Sequence, residues 1–141
     1  MNRELALITG GTSGIGAAFA RHFAEKGYDL IITGQPGDKI YPCIKNLSEK
    51  HKIKVEIIPA ELSITEDILK IEAIIRENER IAILINNAGF GLPKLFWKEN
   101  INLIENMIKV HINAPLRFTY AALPNMMNKR KGIIINLSSL S

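Results

Sequence analysis

The fold is decided by the stretch Thr9-Gly10-Gly11-Thr12-Ser13-Gly14-Ile15-Gly16, which directly follows an aliphatic run beginning at Leu5. Glycines allow a tight turn and let a ligand approach the backbone closely. If a helix begins here, its free N–H groups and the positive end of its dipole bind anions. We therefore interpret the stretch as a strand-to-helix turn that holds the phosphates of a nucleotide. A glycine-rich turn without a ligand is the alternative.

The spacing of the glycines bears on the kind of nucleotide site. Gly10, Gly14 and Gly16 follow G-x-x-x-G-x-G rather than the usual dinucleotide pattern G-x-G-x-x-G. The stretch also lacks the Lys-Ser/Thr pair with which a P-loop binds nucleoside triphosphates. The spacing therefore does not indicate a P-loop.

Aliphatic runs recur along the chain, bounded by Gly, Pro, Asn or charged residues, and they begin at Leu5, Leu30, Val55, Ile81 and Ile133. Continuous apolar runs, rather than alternating ones, are typical of strands in a parallel sheet that is covered on both faces. The first four runs begin about 25 residues apart, which is the length of one strand plus one helix. The pattern predicts an α/β fold, a doubly wound parallel sheet of about five strands.

Apolar stripes at helical spacing predict helices between these runs. The stripes are Ile15, Phe19, His22 and Phe23 in the first helix, Ile64, Ile68, Ile71 and Ile75 in the second, and Ile101, Ile104 and Ile108 in the third. Gly27 stands where the first helix should end. Ser63 and Glu66 predict a capping box at the start of the second helix.

Length and composition exclude several classes of protein. The chain has 141 residues, 47% of them apolar and 23% charged, which suits one ordinary globular domain. The net charge of +4 is mild, and no basic face with interleaved aromatic residues is evident, so we predict no nucleic-acid partner. No apolar stretch approaches the roughly 20 residues that span a bilayer, and no secretory signal is evident, so we predict no membrane partner and a cytoplasmic location. A single cysteine, Cys43, predicts no internal disulfide and no cysteine-based metal site.

Three motifs follow one another in order, each at the end of a predicted strand: Thr9-Gly10-xxx-Gly14-Ile15-Gly16, Asn86-Asn87-Ala88-Gly89 and Ile135-Asn136-Leu137-Ser138-Ser139. With these motifs the chain resembles, from end to end, the N-terminal part of the classical short-chain dehydrogenase/reductase family. The resemblance implies a Rossmann-like sheet of order 3-2-1-4-5, with residues 1–141 as a single dinucleotide-binding domain that stops before the later strands. It also implies an NAD(P)-dependent oxidoreductase that acts on a small carbonyl or alcohol substrate.

The resemblance also implies which residues contact the cofactor: Thr9, Gly10, Thr12, Ser13, Gly14, Ile15, Gly16, Gln35, Glu61, Leu62, Asn87, Ala88 and Gly89. Glu61 stands where the family usually has Asp beside the adenine, and a capping or surface role is the alternative. For Asn87 the alternative is hydrogen bonding at the end of the sheet alone.

The choice between NAD and NADP depends on the end of the second predicted strand. An NAD enzyme of this architecture holds the ribose 2′-hydroxyl with an acidic residue there. Here the strand ends in Gly34-Gln35, without a carboxylate, and Gln35 replaces the arginine common in NADP members. Asp38, 22 residues after Gly16, is the alternative acidic group, but we expect Pro36-Gly37 to turn the chain and Asp38 to cap the next helix. The sequence thus favours NADP(H), with NAD(H) possible.

The catalytic residues are given by resemblance alone. Ser139 matches the catalytic serine, and Ser138 then has a structural role. His111 stands where the family has its catalytic Asn. Pro115 lacks an N–H, so the carbonyl of His111 is left free to hold a water in an irregular helix. A helix histidine that is buried and satisfied locally is the alternative.

The family's Tyr-xxx-Lys lies a little over ten residues beyond the serine, past the last residue, Ser141. We expect none of the three tyrosines, Tyr28, Tyr41 and Tyr120, to stand in for it. Loss of a general acid removes about 10²- to 10⁴-fold in rate, so we expect this chain to be inactive alone. We also expect it to form homo-oligomers through its long helices, because its last strand is an unprotected edge. A non-catalytic dinucleotide-binding or dimerising remnant is the alternative function.

Overall fold

The computed structural model describes residues 2–39 and 42–139. Five strands form one sheet: β1 (Leu5–Ile8), β2 (Asp29–Gly34), β3 (Val55–Pro59), β4 (Ile81–Asn86) and β5 (Ile133–Asn136). Their order is β3-β2-β1-β4-β5, and every neighbouring pair is parallel. The predicted strands and the predicted sheet order are confirmed.

Helices cover both faces of the sheet, as a parallel sheet requires. They are α1 (Gly14–Glu25), α2 (Pro42–Lys45), α3 (Leu47–His51), α4 (Thr65–Glu77), α5 (Ile101–Ile108) and α6 (Ala114–Lys129). One apolar core joins α1, α2 and α3 to the sheet, and a second joins α4 and α6 to the opposite face. All residues of β1, β2 and β4 are buried. The strand ends that carry the motifs are therefore fixed on a rigid base.

Helix α1 buries only part of the predicted stripe. Phe23 is 8% exposed and Phe19 packs against the core, whereas Ile15 is 62% exposed. The other buried residues of the helix are small, namely Gly16, Ala17, Ala20 and Ala24. A Cβ on Gly16 would lie 2.3 Å from the carbonyl oxygen of Gly10, so the start of α1 approaches the turn too closely for larger residues. The predicted burial of Ile15 is wrong because the small residues of α1, and not Ile15, are buried where the helix approaches the turn.

The predicted capping box at the start of α4 is also wrong. The residue preceding the first helical turn is Ile64, not Ser63, and it makes no side-chain cap. The Ser63 hydroxyl instead donates to Glu61 Oε1 over 2.8 Å. Asp67 Oδ2 accepts the Glu61 N–H over 2.8 Å, so a carboxylate in the first turn of α4 holds the preceding loop.

A π-helical turn, Lys109–Asn113, joins α5 to α6. In it the N–H of Ala114 donates to the carbonyl of Lys109, five residues earlier. Pro115 follows at once and cannot continue an α-helical hydrogen-bond pattern, since it has no N–H. The irregular helix expected around His111 and Pro115 is present. A π-helical turn changes the directions in which its side chains point, compared with a regular α-helix.

Within the described ranges, no helix is both long enough and apolar enough to span a bilayer.

Candidate functional site: the carboxyl edge of the sheet

The glycine-rich turn after β1 is tied to the segment after β4. The Asn87 amide donates through Nδ2 to the carbonyls of Thr9 (3.1 Å) and Gly10 (3.0 Å). In return, the buried Thr9 hydroxyl accepts the N–H groups of Asn87 and Ala88, each over 3.0 Å. These four bonds hold two loops side by side at the carboxyl edge of the sheet, where open α/β sheets bind their ligands.

Two glycines make this contact possible. Gly10 has φ +63°, and a Cβ there would lie 2.9 Å from the Cα of Ala88. A Cβ on Gly16 would also lie 2.6 Å from the Asn87 amide nitrogen. Both positions therefore need glycine in order to keep the turn against the Asn87 segment.

A cavity of about 410 Å³ opens between these loops and the ends of β2 and β3. Ten of the thirteen predicted cofactor residues line it: Gly10, Thr12, Ser13, Ile15, Gln35, Glu61, Leu62, Asn87, Ala88 and Gly89. Thr9 and Gly16 stand behind it as buried supports of the turn, and Gly14, with φ +56°, begins α1. The exposed side of Ile15 faces this cavity, which explains why it is not part of the core.

Asp38 also lines this cavity, and its predicted role as a helix cap is wrong. Helix α2 does not begin until Pro42. The residues Pro36-Gly37 do form the expected turn, closed by a bond from the N–H of Asp38 to the carbonyl of Gln35 over 3.0 Å. That turn brings Asp38 Oδ2 back to the end of β2, where it accepts the Gln35 N–H over 2.8 Å and the Thr12 hydroxyl over 3.3 Å. A carboxylate is thus present at this strand end after all.

Glu61 makes local hydrogen bonds in the loop after β3. Its Oε1 accepts both the N–H (3.2 Å) and the hydroxyl (2.8 Å) of Ser63. The adjacent Leu62 is 5% exposed and belongs to the core beneath the cavity. The capping alternative for Glu61 therefore has a structural basis, and adenine contact stays a prediction.

A second cavity, of about 790 Å³, lies beyond Ala88–Phe90 and is lined by Ser138 and Ser139 after β5, by His111, and by Leu92 and Phe96. Phe96 and Trp97 are not packed in the core, because their exposed fractions are 74% and 75%.

His111 is exposed, so the alternative of a buried histidine is wrong, but the ring is hydrogen bonded. Its Nε2 accepts the N–H of Phe90 over 2.9 Å. No signal in the sequence could reveal this contact, because its partners are 21 residues apart and meet only through the π-helical turn. The catalytic role of its carbonyl stays a prediction.

The spacing Tyr-xxx-Lys does occur once in the sequence, at Tyr41 and Lys45. The expectation that none of the tyrosines matches this spacing is therefore wrong for Tyr41. Tyr41 lies outside the described residues, while Lys45 ends the short helix α2. The pair follows β2 instead of the serine strand, so it does not occupy the family's position.

Within residues 2–39 and 42–139, no three His, Cys, Asp or Glu side chains gather into a group that could hold a metal ion.

The sheet order, the glycine turn and the paired cavities define a class of protein, the Rossmann-like α/β domains whose ligand edge lies at the carboxyl ends of the strands. The family model described as short chain dehydrogenase matches residues 4–141. The chain therefore belongs to the short-chain dehydrogenase family.

Similar proteins agree with this membership. The very-long-chain 3-oxoacyl-CoA reductase of Mus musculus is 31% identical over 98% of this chain and 45% of its own length. The bulky-bulky ketone specific alcohol dehydrogenase of Comamonas testosteroni is 34% identical, with a TM-score of 0.92 over 99% of this chain and 56% of its own. A short-chain dehydrogenase of Sphingobium yanoikuyae, solved in complex with NADPH, is 33% identical, with a TM-score of 0.91 over 97% of this chain and 54% of its own. The chain thus spans about half the length of these relatives.

Proposed function

We propose that this chain forms the dinucleotide-binding part of an NAD(P)-dependent oxidoreductase that acts on a carbonyl or alcohol. The observation that carries the proposal is the glycine turn, which Gly10 and Gly16 allow to pack against Asn87 and which lines the cavity together with most of the residues predicted to contact the cofactor. A bound nicotinamide dinucleotide would supply hydride transfer, and the residues of this chain bind and orient it.

The phosphates of the dinucleotide fit the start of α1. Ser13 precedes the first helical residue in an extended conformation, and its side chain makes no capping bond to the helix. The N–H groups of the first turn are thus available to an anion, and the helix dipole adds to their attraction. No acidic residue lies in this first turn to oppose a phosphate.

The adenosine half fits the cavity between the ends of β2 and β3. Leu62 and Ala60 supply an apolar floor, and Thr12, Gln35 and Glu61 supply polar groups at its rim. Apolar walls with a few placed polar groups are typical of small-molecule sites.

For the ribose, we favour NAD(H) over the NADP(H) that the sequence suggested. That suggestion rested on a missing carboxylate, whereas Asp38 returns to the end of β2 through the Pro36-Gly37 turn. A carboxylate accepts a hydrogen bond from a 2′-hydroxyl and repels a 2′-phosphate. The NADPH complex of the Sphingobium yanoikuyae enzyme supports the opposite preference, so direct comparison of the two cofactors is required.

The substrate fits the second cavity, beside Ser138 and Ser139. Its walls include Leu92, Phe96 and Met107, so an apolar carbonyl or alcohol compound is the substrate class we propose. Ser139 would position the substrate oxygen. By family resemblance the general acid belongs to a segment that follows Ser139.

Calorimetric titration of the chain with NADH and NADPH tests the binding proposal. Gly16→Ala places a methyl group 2.3 Å from the Gly10 carbonyl oxygen, so we expect it to weaken binding of both dinucleotides by at least about tenfold. Gly91→Ala is the matched control, because a Cβ at Gly91 meets nothing within 4 Å. Saturable binding that Gly16→Ala leaves unchanged would refute the proposed site.

A non-catalytic dimerising protein is the second candidate, and the exposed apolar residues along α5 and α6 favour it. An activity assay with the complete reading frame separates the two candidates. Reduction of a bulky ketone by NADH or NADPH supports the oxidoreductase, and dinucleotide binding without turnover supports the alternative.

A further inference from the structure

The His111 ring lies against Gly89 and Phe90, which form the wall between the two cavities. Its imidazole lines the larger cavity, and Phe90, which it binds, lines both that cavity and the dinucleotide cavity. The π-helical turn Lys109–Asn113 carries the ring to this place. Its position at the junction of the two cavities suggests a function for the side chain itself.

The protonation of the ring follows from its hydrogen bond. Phe90 donates its backbone N–H to Nε2 over 2.9 Å. A nitrogen that accepts a hydrogen bond carries no proton, so the neutral ring holds its proton on Nδ1. In this tautomer the imidazole is an acceptor for the loop rather than a donor to a ligand at Nε2.

The loop is shaped to receive this ring. A Cβ on Gly89 would lie 2.9 Å from Nε2 and 3.0 Å from Cε1 of His111, so a larger residue there would displace the ring from its present position. The Phe90 ring meets the imidazole edge to face, with ring centroids 5.8 Å apart and an interplanar angle of 89°. Three features therefore hold Gly89 and Phe90 against His111. They are the hydrogen bond from the Phe90 N–H, the absence of a Cβ at Gly89 and the aromatic contact of the Phe90 ring.

The loop after β4 is thereby held from both ends. At its start, Thr9 Oγ1 accepts the N–H groups of Asn87 and Ala88. At its far end, His111 Nε2 accepts the N–H of Phe90. No helix or strand spans the residues between, so these side-chain bonds determine where the wall of the dinucleotide cavity lies.

We propose that His111 is a positioning residue whose neutral Nε2 clamps Gly89–Phe90 and so sets the wall that a dinucleotide contacts. The side chain acts through the loop and not on reacting atoms. The clamp itself is independent of the function proposed above, whereas its effect on dinucleotide affinity rests on that function.

Amide hydrogen exchange and imidazole ¹⁵N spectra of the chain test the clamp. The ¹⁵N spectrum should show Nδ1 protonated and Nε2 free of a proton. His111→Ala should speed exchange at Phe90 by at least about threefold, because a net hydrogen bond is lost. His111→Gln, whose Oε1 can reach the position of Nε2, should restore much of the protection. Ile112→Ala, a neighbour on the same turn that is 58% exposed, is the control.

Dinucleotide titrations of the same variants test the consequence. We expect His111→Ala to weaken affinity by about three- to tenfold, and His111→Gln and Ile112→Ala to stay near the parent chain. If His111→Ala leaves amide exchange at Phe90 unchanged, or if the parent ring carries its proton on Nε2, the proposed hydrogen-bond clamp is wrong. If exchange at Phe90 becomes faster but dinucleotide affinity does not change, the clamp exists but does not set the wall of the dinucleotide cavity. If the parent chain binds no dinucleotide, the proposed function fails, and the exchange data still decide the clamp.

Exchange at Leu7 and Ile85, which are fully buried, shows whether each variant keeps the fold.

Discussion

At Asp38, the Pro36-Gly37 turn gives the side chain a different role from the helix cap that the sequence predicted. Along the sequence it stands three residues after Gln35 and suggests a helix cap, but Gly37, with φ +85°, folds it back onto β2. A glycine at this position of a turn permits a conformation that few other residues adopt. The residue that we expect to select the cofactor, Asp38, could therefore be identified in the sequence. The sequence did not show that the turn at Gly37 brings its carboxylate back to β2.

Asp38→Asn tests this role. Asn keeps an acceptor for the Gln35 N–H and removes the charge, so we expect NADPH affinity to rise about tenfold and NADH affinity to change little. Isothermal titration with both cofactors measures the ratio. Glu66→Gln, an exposed carboxylate in the first turn of α4, is the control. An unchanged ratio of NADPH affinity to NADH affinity would show that Asp38 does not discriminate between a ribose 2′-hydroxyl and a 2′-phosphate.

Asp29 anchors the opposite end of the sheet. It accepts the Lys54 N–H and an Arg80 guanidinium N–H, each over 2.9 Å. Burial by itself would raise the pKa of Asp29, but these hydrogen bonds and the positive charges of Arg80 and Arg3 outweigh it and lower the pKa below the ordinary 3.8. A lowered folded-state pKa stabilises the fold above the unfolded-state value, and that contribution is lost as pH falls through the folded-state value.

We therefore expect Asp29→Asn to lower the free energy of unfolding by about 1–3 kcal/mol at pH 7. The difference from the parent chain should shrink as pH falls below about 3.8, where the parent carboxylate also becomes protonated. Urea denaturation at several pH values measures it, with Glu105→Gln on α5 as the exposed control. A difference independent of pH would contradict an electrostatic origin.

At the scale of elements, continuous aliphatic runs predicted all five strands, because burial on both faces leaves little choice of residue. Features that depend on contacts between distant elements were not predicted. The close approach of α1 to the glycine turn exposes Ile15, and the Asp67 carboxylate replaces the expected capping box. The His111–Phe90 bond depends on a π-helical turn that no periodicity reveals. The local sequence pattern thus predicted the strands of the sheet. Contacts between residues that are far apart in the sequence determine the geometry of the site, and the pattern does not reveal them.

Helices α4 and α6 are joined by a half-buried ion pair. The Glu72 carboxylate, on a residue only 7% exposed, accepts Arg117 Nε over 2.6 Å and Nη2 over 3.2 Å. Arg76 lies 3.8 Å from the same carboxylate and has a side chain 57% exposed. The Arg117 side chain is itself 48% exposed, so the two arginines differ in geometry rather than in burial. Arg117 makes two hydrogen bonds to the buried carboxylate, and the loss of such a bidentate partner costs more than the loss of a single distant contact.

Arg117→Met should accordingly lower the free energy of unfolding by about 1–3 kcal/mol. Arg76→Met, which removes only the longer contact of 3.8 Å, should lower it by less than about 1 kcal/mol. Chemical denaturation of both variants makes the comparison. Equal losses would mean that the pair does not hold α4 against α6.

At the scale of the whole molecule, an apolar surface runs along the outer face of α5, the π-helical turn and α6. It includes Ile108, Ile112, Leu116, Tyr120 and Met127, whose exposed fractions run from 43% to 77%. Contiguous exposed apolar surface of this kind is typical of an interaction site. Strand β5 lies beside it at the edge of the sheet and leaves Ile133 53% exposed.

We expect this surface to drive self-association, as the sequence also predicted. Leu116→Glu together with Tyr120→Glu should weaken association by at least about tenfold, because two charges would be buried in an apolar contact. Leu69→Glu, on α4 and 44% exposed, is the matched control. Multi-angle light scattering over a range of concentrations measures the effect, and a monomeric parent chain would contradict the expectation.

The central claim, that the carboxyl edge of the sheet holds a nicotinamide dinucleotide, is tested most directly by backbone amide NMR during titration with NADH and NADPH. The account predicts saturable shifts concentrated at residues 9–16, 34–38, 60–62 and 87–90, while the Asp29 end of the sheet is unaffected. Shifts that do not saturate, or that cluster on the outer face of α5 and α6, would contradict it.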